Sequence, residues 1–282
     1  MTRPLLAFLH IAKTGGRSVE TMLRSSYGVS YCHAIPWRPP LRPGEAGRPL
    51  AIATYDLDDF RRLRRLCPFM QAIGGHAVTL WSGLHDVRPV RYFAFLREPV
   101  ARMASHYQFH RATVPGPLDL DGWCRWHEPR ELQAKYFSRD GDPQAAIAAI
   151  ERHGVFVGLL ERFDESLLLL CRLAAPELNP AYRRENTAGA NDLARQLLAE
   201  PATRARLAAL VEGEQELYAW VRDELFPRQV EAYGAVALAA DLARFRADPS
   251  RGFNARNDLL HRAYQRLWLG PAVGRVRRRQ AG

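Results

Sequence analysis

The sequence contains few cysteines, almost no lysine and no long hydrophobic run, and each shortage excludes a class of protein. Its four cysteines are scattered along the chain without a Cys-x-x-Cys pair or a His/Cys cluster of zinc spacing. This distribution indicates structural thiols in a reducing compartment, so we expect a cytoplasmic protein without a metal centre. No segment approaches the roughly 18 uninterrupted apolar residues that a membrane-spanning helix requires.

What the sequence has in excess is arginine. Of the 40 basic residues all but Lys13 and Lys135 are arginines, and 30 acidic residues leave a formal net charge of +10. This charge favours an anionic partner such as a phosphate, a sulfate, an acidic glycan, a nucleic acid or a membrane surface, and solubility alone is the alternative explanation. Because the chain is also rich in alanine, the arginine bias is typical of a GC-rich, bacterial genome and is weak support for a dedicated arginine surface. The rarity of lysine makes Lys13 more informative.

The order of the apolar runs predicts an α/β fold. Runs of strand length lie at 5–11, 70–75, 90–98 and 154–161. Helical patterns follow the first, third and fourth of them, which is typical of a P-loop-like central parallel sheet flanked by helices. A proline-rich segment at 36–49 predicts a loop or lid. The chain beyond residue 188 is mainly helical, so we expect one domain at 1–230 and a helical extension with a basic tail at 231–282.

The first strand–helix junction, at residues 10–18, has the composition of an anion site. A glycine turn between strand and helix points backbone N–H groups and the positive end of the helix dipole at the turn. Lys13 adds a mobile charge, and Thr14 and Ser18 add hydroxyl donors. A Walker A loop is excluded because its glycines precede the lysine, whereas here they follow it. The residues alone leave two readings open, a phosphate site and a tight turn with an incidental lysine.

The second strand–helix junction, at residues 95–107, carries Arg97 at a strand end and Ser105 about two turns into the next helix. Ligands of α/β proteins bind at the carboxyl ends of strands. Arg97 and Ser105 can therefore reach one ligand beside the first junction if the two strands are neighbours. The alternative is a surface cluster of Arg97 and Glu98 with a serine facing water.

Two histidines are candidates for taking a proton from an alcohol, a task suited to a side chain with a pKa of about 6.5. His76 follows two glycines at the end of a strand candidate, and His85 lies beside Asp86 in the same interval. Each is alternatively a structural histidine held by a hydrogen bond. We favour His76, because nothing bulky precedes it at the expected carboxyl edge.

Taken together, the two junctions resemble the sulfotransferases that use 3′-phosphoadenosine 5′-phosphosulfate (PAPS), and most of all the carbohydrate enzymes of the heparan sulfate 2-O and 6-O type. In that family a Lys-Thr-Gly-Gly-x-Ser loop binds the 5′-phosphosulfate. The loop falls here on Lys13, Thr14, Gly15, Gly16, Arg17 and Ser18. An Arg-[Asp/Glu]-Pro-x-x-Arg-x-x-Ser segment binds the 3′-phosphate. It falls on Arg97 and Ser105, with Pro99 and Arg102 in register.

The resemblance implies transfer of a sulfuryl group from PAPS to a hydroxyl, with 3′-phosphoadenosine 5′-phosphate (PAP) as product and a glycan or glycolipid as expected acceptor. It implies that Lys13 neutralises the leaving phosphate and that His76 is the base. A weaker match at 183–192 carries Arg184 over as a further 3′-phosphate or adenosine contact. The segment of Gln133, Lys135 and Tyr136 falls where the family often lines the acceptor site.

Two other functions compete with this reading. A P-loop kinase for a small alcohol would need a lysine after the glycines and an acidic magnesium ligand at a strand end. A noncatalytic binder of anionic glycan or nucleic acid would need a clustered basic face with interleaved aromatic residues. The informative basic residues instead lie in the two junctions, so we expect an enzyme that binds neither nucleic acid nor metal.

Overall fold

Five short strands form one parallel sheet, as the apolar runs predict. The strands are β1 (Leu5–Leu9), β2 (Tyr31–His33), β3 (Ala72–Gly75), β4 (Val90–Leu96) and β5 (Phe156–Leu159). All residues of the first strand are buried, which fits a sheet covered on both faces. The predicted fold class, a central parallel sheet flanked by helices, is confirmed. The second strand was not predicted, because three residues are too few to give a recognisable pattern.

The structure is a computed structural model, and it describes residues 3–34, 36, 55–113, 119–126, 132–183 and 192–281. Two sequence predictions therefore lie outside the described residues. One is the proline-rich loop at 36–49, apart from Pro36, and the other is the role of Arg184.

The strand order decides which loops meet. The sheet runs β2-β3-β1-β4-β5 with all neighbours parallel. At the end of the central strand, Leu9 pairs with Gly75 on one side and Ala94 on the other. Because parallel strands end at the same edge, the segments that follow β1, β3 and β4 are neighbours at the carboxyl edge of the sheet. Those segments carry Lys13, His76 and Arg97.

Helices account for most of the remaining described chain. Their bounds are α1 (Gly16–Tyr27), α2 (Leu57–Leu66), α3 (Pro99–Thr113), α4 (Leu120–Trp126), α5 (Pro143–His153), α6 (Phe163–Leu173), α7 (Asp192–Ala199), α8 (Pro201–Leu210), α9 (Glu212–Trp220), α10 (Phe226–Tyr233), α11 (Ala235–Ala247), α12 (Ala255–Tyr264) and α13 (Gly270–Ala281). A π-helical turn at Val221–Leu225 joins α9 to α10, and another at Gln265–Leu269 joins α12 to α13. In the part of the chain that the structure describes, no helix is both long and apolar enough to cross a bilayer.

The C-terminal helices pack onto the sheet layer. Leu238, Leu269 and Val273 belong to the same buried core cluster as the strands. Helix α12 lies against the end of α1, where the Asn257 side chain donates a hydrogen bond to the carbonyl of Ser25 at 2.9 Å. These helices thus share the core of the preceding domain, and the boundary at residue 230 stays a prediction.

Candidate functional site

The loop between β1 and α1 has a strained conformation. Lys13 is the one described residue other than glycine with a positive φ, 70°, and Gly15 follows with a φ of 86°. The Thr14 hydroxyl donates a hydrogen bond to the carbonyl of Ile11 at 3.0 Å, which closes the turn. A left-handed backbone conformation costs free energy in a residue other than glycine, and such strain is common at functional sites.

Gly16, the first residue of α1, allows a close approach between the helix and the end of β1. A Cβ atom at this position would lie 1.9 Å from Nε2 of His10, so no larger residue fits without moving that ring. The double glycine therefore has two roles. Gly15 supplies the left-handed backbone, and Gly16 makes room for a histidine behind the loop.

Lys13 lies among other positive charges. Its Nζ is 4.7 Å from the centroid of the Phe109 ring, and its carbonyl accepts a 3.3 Å hydrogen bond from Nη1 of Arg97. Burial, together with the charges of Arg97 and Arg17, lowers the pKa of Lys13. Like charges repel each other unless an anion lies between them, so this arrangement is suited to binding a strongly anionic group.

Arg97 is fixed by a backbone clamp at the end of β4. Gln133 accepts a 3.0 Å hydrogen bond from the Arg97 N–H and donates another of 3.0 Å to the Arg97 carbonyl. The Gln133 amide also donates to Glu214 at 3.0 Å. Within the described residues Arg97 forms no ion pair, and burial lowers its pKa. The backbone of Arg97 is thus held in place, and its guanidinium, which donates to the Lys13 carbonyl, is left available for a ligand.

The clamp corrects one expectation from the family resemblance. Gln133 is only 1% exposed and holds the Arg97 backbone, so it does not line an acceptor site. Tyr136 is buried as well, and its hydroxyl donates to the carbonyl of His76 at 3.0 Å. The carbonyl of Lys135 accepts from the Trp81 indole at 2.8 Å. Gln133 and Tyr136 therefore support the site from behind.

Helix α3 carries the rest of the second junction. Ser105 is buried in its middle. Arg102 is fully buried and paired with Glu214 of α9, with N–O distances of 3.3 and 3.2 Å. The position of Arg102 in the family pattern therefore corresponds here to a buried ion pair between two helices. Because removing one partner would leave a buried charge unpaired, this pair is important for folding.

His76 directly follows β3, the strand that lies between β1 and β2 in the sheet. Its Nδ1 is 2.7 Å from the carbonyl oxygen of His10. A carbonyl can only accept, so the proton is on Nδ1 and the lone pair is on Nε2. The residue is exposed, but its ring packs against the His10 ring with centroids 4.0 Å apart. This partial burial, aided by the charge of His10, lowers the pKa of His76 to about 4. The imidazole is therefore neutral at pH 7 and can accept a proton on Nε2.

His85, the competing histidine, lies near the amino ends of the strands, which we call the amino edge of the sheet. Its Nδ1 is 3.0 Å from the Tyr92 hydroxyl, and its ring lies 4.4 Å from the ring of His153. Tyr92 is early in β4, and His153 comes shortly before β5 begins. These contacts place His85 at the amino edge of the sheet, away from Lys13, whereas His76 lies at the carboxyl edge.

Three residues behind the loop were missed by sequence reasoning. His10 and His33 both direct Nδ1 at Oε1 of Glu20, at 3.2 and 3.4 Å. Burial alone would raise the pKa of Glu20, but the hydrogen bonds from both histidines outweigh it and hold the pKa well below its usual range. The one sequence signal was a histidine inside the apolar run at 5–11. In the described residues no group of three or more His, Cys, Asp or Glu is arranged to hold a metal ion.

Trp123, in α4, is fully buried and packs in a core cluster with side chains of α3. Its indole donates to Nδ1 of His110 at 3.0 Å. Trp123 therefore supports α3 from the core side.

Comparison with known proteins gave little at the level of sequence. No family model matches the chain, and no curated protein matches it. One solved structure to which it is similar is a sulfotransferase from Alicyclobacillus acidocaldarius, at 20% identity and a TM-score of 0.39. The match covers 75% of this chain and 97% of that one. A likeness this distant carries no argument about activity, so the function has to be inferred from the site itself.

Proposed function

We propose that the protein is a sulfotransferase that moves the sulfuryl group of PAPS to a hydroxyl of a carbohydrate, either a glycan or a glycolipid. The observation that carries the proposal is the meeting of three groups at one sheet edge. They are a lysine in a strained glycine loop, an arginine and a neutral histidine, and within the described residues the arginine forms no ion pair and Nε2 of the histidine no hydrogen bond. A bacterial cytoplasmic enzyme is the setting that we infer from composition.

The donor is held, in this proposal, by the two strand–helix junctions. The 5′-phosphosulfate lies against the loop N–H groups and the start of α1, with contacts from Lys13, Thr14, Gly15, Gly16, Arg17 and Ser18. The 3′-phosphate is bound by Arg97 and Ser105, and Arg184 adds a further contact. Burial and the charges of Arg97 and Arg17 lower the pKa of Lys13, and an anion bound beside the helix N-terminus would stabilise its charged form, which supports this assignment.

The reaction forms a bond between the acceptor oxygen and sulfur as the bond from sulfur to the bridging phosphate oxygen breaks. His76 takes the hydroxyl proton on Nε2, while Lys13 neutralises the charge that develops on the leaving phosphate. A pKa of about 4 in the free protein is low for a base. Bound anionic groups favour the imidazolium, so donor binding raises the pKa of His76 toward the working pH.

The test is a screen for acceptors with ³⁵S-labelled PAPS. Purified protein is incubated with candidate glycans and glycolipids, and labelled product is separated from the donor. We expect transfer to at least one carbohydrate hydroxyl, abolished when Lys13 and His76 are both replaced by alanine. If the protein binds PAP but transfers no label to any acceptor or to water, it is a nucleotide-binding protein and the proposal fails.

A further inference from the structure

Behind His76 lies a chain of polar contacts that the proposed reaction does not yet use. Glu20, on α1, accepts from Nδ1 of His10 at 3.2 Å. The carbonyl of His10 in turn accepts from Nδ1 of His76 at 2.7 Å. Helix α1, the end of β1 and the residue after β3 thus form one connected path from a carboxylate to the candidate base.

The His10 ring is buried and is packed between Phe8, His76 and the start of α1 at Gly16. It stacks on Phe8 with centroids 5.1 Å apart, and it packs at a tilt against the His76 ring with centroids 4.0 Å apart. Its Nε2 lies so close to α1 that a Cβ atom on Gly16 would be only 1.9 Å from it. His10 is only 6% exposed. A buried imidazole held in this way has one orientation. The backbone carbonyl of the same residue lies 2.7 Å from Nδ1 of His76, so a held ring helps to keep His10 in place beside His76.

We propose that Glu20 is a positioning residue for His76, acting through His10. The inference rests on the proposed function of His76 as the base. Glu20 fixes the His10 ring, and with it the carbonyl that keeps the proton of His76 on Nδ1 and the lone pair on Nε2. When Nε2 takes the proton from the acceptor hydroxyl, the carboxylate offsets the positive charge formed on the ring.

The charges of Glu20, His10 and His33 agree with this role. The pKa of Glu20 lies well below its usual range, so the carboxylate is ionised at every pH at which the protein would work. Its negative charge raises the pKa of His76, opposing burial and the charges of His10 and His33. The half-exposed His33 shares the same carboxylate oxygen, at 3.4 Å. These three groups, His10, His33 and Glu20, are the titratable neighbours that set the proton affinity of His76.

The experiment separates the charge of Glu20 from its shape. Glu20→Gln keeps an acceptor for His10 and removes the charge, whereas Glu20→Ala removes both. The matched control is Glu177→Gln, because the Glu177 side chain is 13% exposed against 17% for Glu20. Glu177 is bonded to Arg91 and Tyr27 at the opposite edge of the sheet.

The primary measurement is ¹⁵N NMR of the imidazoles, in the free protein and in its complex with PAP. In the wild type and in Glu177→Gln, we expect His76 as the Nδ1–H tautomer. In Glu20→Gln the tautomer stays, and the pKa of His76 in the PAP complex falls by about one pH unit. In Glu20→Ala the tautomer becomes mixed.

The second measurement is release of labelled sulfate from PAPS with water as the acceptor. Glu20→Gln should slow it roughly three- to tenfold, while the affinity for PAP changes less than about twofold and Glu177→Gln keeps the wild-type rate. An unchanged tautomer and pKa of His76 in both Glu20 variants would overturn the inference, whatever the rates. Failure of PAP to bind the wild type would instead refute the proposed function, and the free-protein NMR would still decide the role of Glu20.

Discussion

Two charged groups at opposite edges of the sheet, the Glu177 group and the pair of Lys13 and Arg97, are arranged in opposite ways. At the amino edge Glu177 accepts hydrogen bonds from Arg91 and from the Tyr27 hydroxyl, and Arg3 lies 3.9 Å away, so opposite charges are paired. At the carboxyl edge Lys13 and Arg97 lie together, and neither forms an ion pair within the described ranges. The first arrangement stabilises the folded chain, and the second costs stability unless an anion binds.

The backbone conformation also differs between the two edges. The left-handed φ of 70° at Lys13 lies on the carboxyl side, in the loop that follows β1. A strained loop whose lysine has no ion pair among the described residues is suited to a preorganised anion site, because the free energy spent in folding is recovered when the ligand binds. We therefore expect substitutions at the amino edge to change stability, and substitutions at the carboxyl edge to change ligand binding and turnover.

The largest expected effect distinguishes the two histidines. His76→Ala should lower the rate of sulfuryl transfer by about 10²–10⁴-fold, because a general base contributes on that scale. PAP affinity should stay near that of the wild type. His85→Ala, at the amino edge, should reduce stability and leave the rate unchanged. Steady-state rates of both variants against pH check this, and a wild-type rate for His76→Ala would disprove the assignment.

A smaller but still large effect is expected at Lys13. Lys13→Ala should reduce turnover by about 10²–10³-fold, as loss of one charge-stabilising donor does. Lys13→Arg should restore only part of the activity, because a planar guanidinium follows a moving charge less well than an ammonium on a flexible stem. Single-turnover rates measure both variants. If the arginine variant has full activity, any cation in the loop suffices and the special role of lysine is wrong.

The next effect concerns binding. Arg97→Ala should weaken PAP binding by about 10- to 150-fold, equivalent to about 1.5–3 kcal/mol for a charge-assisted hydrogen bond. Binding of adenosine 5′-phosphosulfate, which lacks the 3′-phosphate, should hardly change. Arg91→Ala, which removes a half-buried arginine at the amino edge, is the control and should leave both affinities intact. Calorimetry with both ligands decides, and equal losses would refute the 3′-phosphate contact.

The smallest effect is on stability against pH. The pKa of His76 is about 4 in the folded protein, below the 6.5 of a free imidazole. Between these values the unfolded chain takes up a proton that the folded one does not, so stability falls as the pH falls from 6.5 to 4. In His76→Gln this loss should be shallower. Urea unfolding at several pH values measures it, and parallel curves for both proteins would contradict the lowered pKa.

The sequence predicted the sheet better than it predicted the contacts behind the site. Apolar runs located β1, β3, β4 and β5, and the motif spacing identified both strand–helix junctions. The short β2 was missed because Tyr31–His33 is too brief to show a period. The path from Glu20 through His10 to His76 was missed for another reason. Glu20 and His10 lie ten residues apart in one strand–helix unit, but only the strand order brings His76 beside them.

The most direct test of the central claim is the thermal response of the wild-type protein to PAP and to ATP with magnesium. A ligand that binds the native state at about 100 times its Kd adds about 2.7 kcal/mol to the free energy of unfolding. If the carboxyl edge is built for a nucleotide with a 3′-phosphate, PAP raises the Tm clearly and ATP–magnesium does not. Equal stabilisation by ATP–magnesium, or no response to PAP, would contradict the account.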